Sequence, residues 1–255
     1  MGKRSRLYVY TADFYRHINA GALSSAEALL PVVARWFDVK SVIDFGCGQG
    51  AWLSVWKQVG AREVVGLDGE YVDRNGLLVD PHEFTGADLS RPVDLGRTFD
   101  LVQSLEVAEH LPEAHADTFV DNLVRHGSVV LFSAAVPGQL GEHHVNERPF
   151  EYWRDKFIAR GYVLIDAIRP ELRHRANIDP WYKHNALLFV HRDRLPDIPA
   201  KLRAHRLPDD APIPSFAPLY LRAVFGVTKF FPYSVNHGLS VLNKNISRLR
   251  RAIAR

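Results

Sequence analysis

Two short clusters of carboxylate and imidazole side chains are the part of this sequence best equipped for chemistry. The first is Glu106-Val-Ala-Glu109-His110, and the second is His143-His144 with the Val-Asn-Glu that follows. A neutral imidazole can take a proton from a hydroxyl group near physiological pH. Two carboxylates beside an imidazole can instead hold a divalent cation. The residue types therefore allow a general base and a metal site, and they do not choose between the two.

Each use defines a set of candidate residues. The candidate catalytic residues are His143, His144, Glu106 and Glu109. The candidate metal ligands are Glu106, Glu109, His110 and His144, with Mg²⁺ as the candidate ion. Hard cations usually require more oxygen ligands than these side chains supply. Two interpretations without chemistry also stay open: the first cluster can shape a pocket without a metal, and the second can be a hydrogen-bonded surface loop.

A glycine-rich turn precedes both clusters and predicts the element that positions them. An apolar, β-branched run at residues 42–43 leads into an acid and three alternating glycines: Asp44, Gly46, Gly48 and Gly50. Such a run is typical of a buried parallel strand. Glycines without Cβ atoms let a ligand lie against the backbone, and a helix predicted over residues 51–59 directs its amide groups toward the turn. A nucleotide-like ligand is expected here.

Two classes of ligand fit the turn. The spacing of Gly46, Gly48 and Ala51 satisfies G-x-G-x-x-A, and Asp68 follows the next predicted strand, as in dinucleotide-binding proteins such as those that bind NAD. The alternative is D-x-G-x-G-x-G with the acid before the first glycine. This pattern resembles the first motif of the class I S-adenosylmethionine-dependent methyltransferases.

Further strings favour the methyltransferase resemblance because they occur in the order that the family shows. They are Gly66-Leu-Asp-Gly69, Ala87-Asp-Leu89 and Phe99-Asp-Leu-Val-Gln-Ser-Leu-Glu106. The resemblance covers roughly residues 10 to 193. It implies a Rossmann-like α/β fold with a seven-stranded, mostly parallel sheet and helices on both faces. It also implies S-adenosylmethionine as the cofactor.

The same resemblance assigns expected contacts to the cofactor. Asp44 would face its amino-acid end, Asp68 its ribose hydroxyls, and Asp88 the adenine amino group, with a backbone contact from Leu89. The predicted cofactor-binding residues are Asp44, Gly46, Cys47, Gly48, Gly50, Trp52, Asp68, Gly69, Asp88, Leu89, Ser104 and Leu105. In related enzymes a segment before the first strand covers the cofactor, so Tyr15 or His17 could touch it. Packing of these aromatic residues on the sheet is the preferred interpretation.

The E-x-x-E-H string narrows the expected reaction. It resembles the ubiquinone-pathway O-methyltransferases and the enzymes that methylate the 2′-hydroxyl at RNA 3′ ends, where these residues hold a metal. A wider set of strings resembles bacterial methyltransferase-domain proteins associated with glycan or secondary-metabolite assembly. It comprises residues 104–110, 132–139 and 143–147 and Trp181-Tyr182. One departure is Leu140-Gly141, where that subgroup would have Gly-Gly.

These resemblances predict an O-methyltransferase. The expected acceptor is the hydroxyl of a sugar or glycan, which could be lipid-linked or nucleotide-linked. The alternatives are an RNA 2′-O-methyltransferase and a small-molecule O-methyltransferase acting on a quinone or secondary metabolite. A non-catalytic cofactor-binding protein is a further alternative, motivated by the tail.

The last quarter of the chain differs in composition from the rest. Residues 201–255 contain ten lysines and arginines against two aspartates, about +8, so the preceding residues carry about −5 of the total of +3. We predict a methyltransferase domain over 1–194, followed over 195–255 by a proline-containing linker and a helical basic extension. The segment 216–255 could pack on its own domain or in a homodimer, contact an anionic membrane or bind nucleic acid, in that order of preference.

The location of the protein is predicted from what the sequence lacks. The lone Cys47 allows no disulfide and indicates a reducing compartment. Met1 to Arg6 is basic, but no apolar signal segment follows, and no apolar run could span a bilayer. The expectation is a cytoplasmic protein that could lie peripherally on the inner membrane.

The helices and strands are predicted from periodicity and breakers. Ser24-Ser25 predict a helix start, and Pro31 predicts that the helix before the first strand is in two pieces. The other predicted strands cover 63–67, 84–89, 99–104, 128–133, 162–168 and 185–191, and the other predicted helices cover 112–126 and 150–160.

Overall fold

The predicted strands form one seven-stranded sheet. The computed structural model describes residues 12–232 together with Val235 and Gly238. In that part of the chain the strands are β1 (Ser41–Phe45), β2 (Glu63–Asp68), β3 (Phe84–Gly86), β4 (Leu101–Leu105), β5 (Val129–Ser133), β6 (Tyr162–Ile165) and β7 (Leu187–His191). Their order is β3-β2-β1-β4-β5-β7-β6, with β7 antiparallel to both neighbours and the other pairs parallel. The predicted Rossmann-like methyltransferase sheet is confirmed.

Helices cover both faces of the sheet. Those described are α1 (Ala12–Ala34), α2 (Ala51–Val59), α3 (Ala116–Arg125), α4 (Phe150–Ile158), α5 (Ile168–Leu172), α6 (Pro180–Asn185), α7 (Ala200–Arg203) and α8 (Leu219–Thr228). One apolar core joins α1 and α2 to the sheet around Leu29 and Trp56. The other joins α3 and α4 around Phe119 and Phe157, where Phe157 stacks on Phe189 with ring centroids 4.0 Å apart. Burial of strands on both faces explains their continuous apolar sequences.

The helix before β1 is one element, so the prediction of two pieces starting at Ser24-Ser25 was wrong. The Ser24 hydroxyl donates to the carbonyl of Asn177 at 2.8 Å, and the Ser25 hydroxyl accepts from the N–H of Asp179 at 3.0 Å. Both serines therefore bind a distant loop and do not cap α1. Pro31 lies in the last turn of α1. Proline lacks the N–H that would donate to the preceding turn, but the loss of this one hydrogen bond at the end of the helix does not interrupt it.

The third strand is shorter than predicted and ends before Asp88. Strand β3 stops at Gly86, because the Asp88 carboxylate accepts from the N–H and hydroxyl of Ser90 and folds the chain into a turn. The helix predicted over 112–126 is a short 3₁₀ turn, Glu113–His115, followed by α3. The sequence pattern predicts an exposed, amphipathic helix here, yet one face of α3 is buried, including Phe119 and Leu123.

Strands β6 and β7 are also shorter than their apolar sequences predict. Strand β6 ends at Ile165. The N–H of the next residue, Asp166, donates to the carbonyl of His205 in the segment after β7. Strand β7 begins at Leu187 because Asn185 is the last residue of α6. Helix α4 ends at Ile158, two residues before the predicted end, and Gly161 follows at φ +84°.

Much of the segment after β7 packs on the domain that contains the sheet. Ile198, Leu202 and Ile213 are buried, and Leu207 donates its N–H to the carbonyl of Leu164 in β6. Arg169 is fully buried, forms two hydrogen bonds with Asp166, and lies between the rings of Phe150 and Phe216 at 4.9 Å from each. Residues 198–216 thus share the core of the domain, and the boundary at residue 194 stays a prediction.

Two predicted features fall partly or wholly outside the described residues. They are the side chains of the covering segment, including Tyr15 and His17, and the basic helix beyond Gly238. Among the described helices, none combines the length and the apolar character needed to cross a bilayer.

Candidate functional site

The predicted site residues gather at the carboxyl edge of the sheet. Strands β1, β2, β4 and β5 all run parallel, so the loops that leave their carboxyl ends lie at the same edge. Open α/β sheets bind ligands there, beside the point where the strand order reverses. In this chain the reversal lies between β1 and β4. The glycine turn follows β1, and the E-x-x-E-H string follows β4.

The glycine turn needs glycine for conformation and for close packing. Gly46, Gly48 and Gly50 adopt φ values of +88°, +54° and +82°, which L side chains rarely adopt. A Cβ on Gly46 would lie 2.3 Å from the side chain of Val107, and one on Gly50 would lie 2.8 Å from Val79. A Cβ on Gly48 would meet nothing within 4 Å. Gly48 therefore borders open space, as a backbone cradle for a ligand should.

Asp44 is a buried carboxyl at the start of this turn. The amide of Gln103 donates to it at 3.0 Å, and Gln103 accepts from the indole of Trp56 at 3.0 Å. Burial raises the pKa of Asp44 to about 8, the Gln103 hydrogen bond opposes that rise, and the charge of Asp68 adds to it. A carboxyl with this pKa is largely protonated at neutral pH, and a nearby cation would ionise it.

Asp68 ends β2 and binds the glycine turn. It accepts from the N–H of Gly48 at 2.7 Å, from its neighbour Gly69 at 2.6 Å and from the hydroxyl of Tyr71 at 2.6 Å. Burial raises the pKa of Asp68, and these hydrogen bonds oppose the rise. Both carboxylate oxygens thus have protein donors, so ribose hydroxyls would have to share or replace them. The Tyr71 hydroxyl is the replaceable one, because the side chain is 47% exposed.

The remaining predicted cofactor residues have varied surroundings. Asp88 is exposed, and bonds to Ser90 and Arg91 lower its pKa, whereas Leu89 is buried. The Ser104 hydroxyl donates to the carbonyl of Phe45 at 2.9 Å and joins β4 to β1. The others are buried side chains close to the turn: Cys47, Trp52 and Leu105. Burial raises the pKa of the Cys47 thiol, so it has the properties of a packing residue.

Glu106 and Glu109 occupy different surroundings although they belong to one string. Glu106 has φ +56°, and its carboxylate accepts from Gln139 at 2.8 Å and from Asn185 at 3.2 Å. Glu109 is fully buried, and neither of its carboxylate oxygens makes a hydrogen bond of normal geometry among the described residues. Burial raises the pKa of both groups, and the charge of Glu106 raises that of Glu109 further.

His144 is oriented by Glu147 on the loop after β5. Its Nδ1 lies 2.9 Å from a Glu147 oxygen, and its Nε2 lies 4.0 Å from Oε1 of Glu109. A proton on Nδ1 leaves Nε2 as a free base facing the cluster. Glu147 also accepts from the N–H groups of Gly138 and Leu140, at 2.7 and 3.1 Å. One carboxylate therefore holds both the loop and the imidazole.

Backbone contacts bring the two clusters together. The N–H groups of Val145 and Asn146 both donate to the carbonyl of Glu109, at 2.9 and 3.0 Å. The rings of His110 and His144 meet edge to face with centroids 4.9 Å apart. Desolvation of the imidazole lowers the pKa of His110, and the nearby His144 lowers it further. The residue as a whole is nevertheless exposed. His143 lies in the same loop with φ +63°.

Glu109, His110 and His144 could hold a cation. Their candidate ligand atoms lie within 4.8 Å of one another, whereas Glu106 is outside this group because it binds Gln139 and Asn185. Two imidazoles and one carboxylate suit softer divalent ions such as Zn²⁺ or Mn²⁺ better than Mg²⁺, which prefers oxygen ligands. The residues present do not fit the expected Mg²⁺.

Several residues of the site carry no local sequence signal. Gln139 and Asn185 donate hydrogen bonds to Glu106. The Tyr71 hydroxyl donates to Asp68. No sequence motif marks any of these three donors. Leu140, which stands where the resemblance predicts glycine, is a site residue that the sequence did single out. Its φ is +65°, so it takes the conformation that glycine favours at the position where related sequences would have glycine.

Comparisons with known proteins agree with this fold. A family model described as a methyltransferase domain matches residues 15–173, more than half of the chain. The chain therefore belongs to this family, and it is an S-adenosylmethionine-dependent methyltransferase. Over 112 residues it is 33% identical to the ubiquinone biosynthesis O-methyltransferase of Mesorhizobium japonicum, which covers 39% of this chain and 43% of that relative. The match thus spans less than half of the relative's length.

Solved structures share the fold at low sequence identity. A sugar N-methyltransferase from Streptoalloteichus sp. ATCC 53650 has a TM-score of 0.56 and 18% identity, over 75% of this chain and 97% of that one. An amino pentose methyltransferase from Micromonospora echinaspora, bound to S-adenosylmethionine, has a TM-score of 0.49 and 18% identity, over 74% and 99%. At such identities the likeness concerns the fold alone.

Proposed function

We propose that this methyltransferase transfers a methyl group to a hydroxyl group of a sugar or glycan. The observation that carries the proposal is the orientation of His144. Glu147 holds its Nδ1 at 2.9 Å, which leaves Nε2 as a proton acceptor on the loop opposite the E-x-x-E-H string. A hydroxyl is a weak nucleophile until its proton is removed, so a positioned base at this edge suits O-methylation.

The residues at the glycine turn fit the cofactor. Gly48 offers open backbone, Asp44 offers a buried carboxyl that a cation would ionise, and Asp68 offers a carboxylate with one replaceable partner. When bound, S-adenosylmethionine supplies an electrophilic methyl group. In this proposal Asp44 faces the ammonium group of its amino-acid end, and Asp68 faces the ribose hydroxyls.

The acceptor side acts by positioning and proton removal. His144 would take the hydroxyl proton at Nε2 while the acceptor oxygen forms its bond to the methyl carbon and the carbon–sulfur bond breaks. Glu147 would stabilise the resulting imidazolium through Nδ1. Glu109 would stay protonated, because burial and Glu106 raise its pKa.

A sugar acceptor is supported by the kinds of side chain around the site. Gln139 and Asn185 bond to each other at 2.8 Å and to Glu106, which forms a polar network able to recognise hydroxyl groups. Asn185 ends α6, the helix that also carries Trp181, which is 42% exposed. An exposed indole beside hydrogen-bonding amides suits the apolar face of a sugar ring. The sugar methyltransferase neighbour contributes only its fold to this argument.

The test is methyl transfer to a panel of acceptors, followed by mass spectrometry. The panel contains neutral glycans, amino sugars, quinols and a short RNA, each offered with S-adenosylmethionine. We expect turnover on a glycan hydroxyl, and we expect His144→Gln to lower kcat by about 10²- to 10⁴-fold, the usual contribution of a general base. His205→Gln, a change at an exposed histidine beside β6, is the matched control and should leave kcat unchanged. Turnover confined to amines or carbon acids would refute the proposal.

A second candidate is methylation of an RNA 2′-hydroxyl with a bound divalent ion. The convergence of Glu109, His110 and His144 favours it, together with the basic tail. This candidate predicts RNA binding that weakens steeply with salt, and activity that a chelator removes and Mn²⁺ restores. The ubiquinone-pathway relative suggests a quinol as the third acceptor to include. Activity on glycans in the presence of a chelator would exclude the metal-dependent candidate.

A further inference from the structure

We propose that the outward face of α8 binds the surface of an anionic lipid bilayer and holds the acceptor loop next to it. Helix α8 follows the linker and carries an apolar face that the described protein leaves uncovered. Its opposite side is attached to the loop that contains His144. This inference concerns where the enzyme works, and it does not depend on which acceptor is methylated.

The inner side of α8 is fixed to the acceptor loop. The hydroxyl of Thr228 lies 2.6 Å from the carbonyl of Gly138, and Thr228 is buried. A Cβ on Gly138 would lie 2.3 Å from the carbonyl oxygen of Phe225, so only glycine permits this approach. Leu221 and Phe225 are half-buried on the same side of the helix. Gly138 also donates to Glu147, the residue that orients His144.

The outer side of α8 is apolar. Leu221, Phe225 and Thr228 mark the inner side of the helix. Successive residues turn by about 100°, which places Leu219 and Val227 on the side opposite them and Tyr220 and Val224 on one flank. The exposed large apolar residues in and after α8 are Leu219 at 79%, Tyr220 at 68%, Val224 at 46%, Val227 at 59%, Phe230 at 77%, Phe231 at 39% and Val235 at 44%. A run of exposed apolar residues this dense is typical of an interaction surface.

The charges around this face determine which partner fits it. Arg222 and Lys229 lie close together in angle around the helix, on the flank between its inner and outward sides that is opposite the flank of Tyr220 and Val224. From residue 211 to 255 the sequence contains seven lysines and arginines and no aspartate or glutamate. An apolar face combined with basic residues and no acid is the pattern of helices that lie on anionic membranes. Two copies meeting through this face would bring like charges together without an acid from this segment to pair them.

Vesicle flotation of the full-length protein tests the proposal. The vesicles contain phosphatidylcholine alone or phosphatidylcholine with phosphatidylglycerol. We expect binding to the anionic vesicles only, and weaker binding as salt is raised. Val224→Asp with Val227→Asp should reduce binding about tenfold or more, and so should Arg222→Gln with Lys229→Gln. Leu95→Asp is the matched control, because Leu95 is an exposed apolar residue outside α8 whose N–H bonds to His126.

Two further readouts decide between the outcomes. Thermal unfolding and S-adenosylhomocysteine binding should be the same in all variants, which shows that each is folded. Full binding by the Val224→Asp, Val227→Asp protein would overturn the proposal, and so would equal binding to uncharged vesicles. It would also be overturned by a lipid-free dimer, measured by analytical ultracentrifugation, that the same double change dissociates. Loss of methyl transfer in the acceptor panel would not affect it.

Discussion

Burial determines the charge of Asp44, and this gives the cofactor site a pH dependence. The pKa of Asp44 is raised to about 8, so the carboxyl is mainly protonated at pH 7 in the free protein. The ammonium group expected beside it favours the ionised form, so binding should release a proton. The affinity should therefore increase with pH below about 8, by at most about tenfold per pH unit.

Calorimetric titration with S-adenosylhomocysteine in buffers of different ionisation enthalpy measures this proton release. Near pH 7 we expect close to one proton released at Asp44, after allowance for the ligand's own amino group. Asp44→Asn should bind more weakly and lose this contribution. Asp38→Asn, at an exposed aspartate outside the site, is the control and should behave like the wild type. Proton uptake, or equal release from the Asp44→Asn protein, would contradict the assignment.

The residue scale also shows where sequence-based prediction of the site ends. Asp44, Gly48 and Asp68 could be placed because strand, turn and acid are adjacent in sequence. The partners of these groups could not be placed. Tyr71 binds Asp68 through a turn that no motif specifies, and Gln139 approaches Glu106 only when β4 and β5 pair. Such contacts depend on tertiary structure, which a local pattern does not encode.

At the scale of elements, the loop after β5 stores backbone strain. Glu106, Leu140 and His143 are the non-glycine residues with positive φ among those described, and all three lie at this site. Strain of this kind costs about 1–2 kcal/mol per residue and persists where the surrounding contacts impose it. Here the imposing contacts are those of Glu147 with Gly138, Leu140 and His144.

Substitutions at Leu140 should measure this strain. Alanine normally stabilises a chain relative to glycine, by about 0.5–1 kcal/mol. At φ +65° the order should reverse, because glycine takes this conformation without steric cost. We expect Leu140→Gly to be more stable than Leu140→Ala by about 1 kcal/mol in urea unfolding. A more stable alanine variant would show that the loop does not hold this conformation in solution.

Elements were predictable where their own sequence determines them. The strands were found because β-branched, apolar runs end at glycine or acid. The start of α1 was misplaced because Ser24 and Ser25 find their hydrogen-bond partners near residue 178, far along the chain. The end of β3 was misplaced because the turn at Asp88 overrides the strand pattern. In both cases a side-chain hydrogen bond decided the boundary.

At the scale of the molecule, composition alone did not reveal how the linker packs. Its prolines predict an extended connection, yet Ile198, Leu202 and Ile213 are buried against the domain. Arg169 holds Phe216 from within the domain through its stacking with that ring. The N–H of Ile213 donates to Glu151 of α4, and Arg169 belongs to α5, so this packing requires the folded domain. The linker thereby directs α8 toward the acceptor loop.

The contact between α8 and the acceptor loop leads to a last prediction, at Gly138. Alanine there would adopt φ +84° and would place its Cβ 2.3 Å from the Phe225 carbonyl oxygen, so α8 must move away. Gly226→Ala is the matched control, because its Cβ meets nothing within 4 Å and alanine favours a helix. Hydrogen exchange over residues 219–228 should become faster in Gly138→Ala and not in Gly226→Ala.

The same variant separates attachment of the helix from the chemistry of the site. Gly138 donates to Glu147, so a displaced loop should also disturb the orientation of His144 and lower kcat. A fall in kcat together with faster exchange in α8 would show that the tail and the base move as one unit. Faster exchange with an unchanged kcat would mean that Glu147 holds His144 without the helix. Unchanged exchange in Gly138→Ala would contradict the contact itself, since no alanine fits between the loop and the Phe225 carbonyl as they are packed.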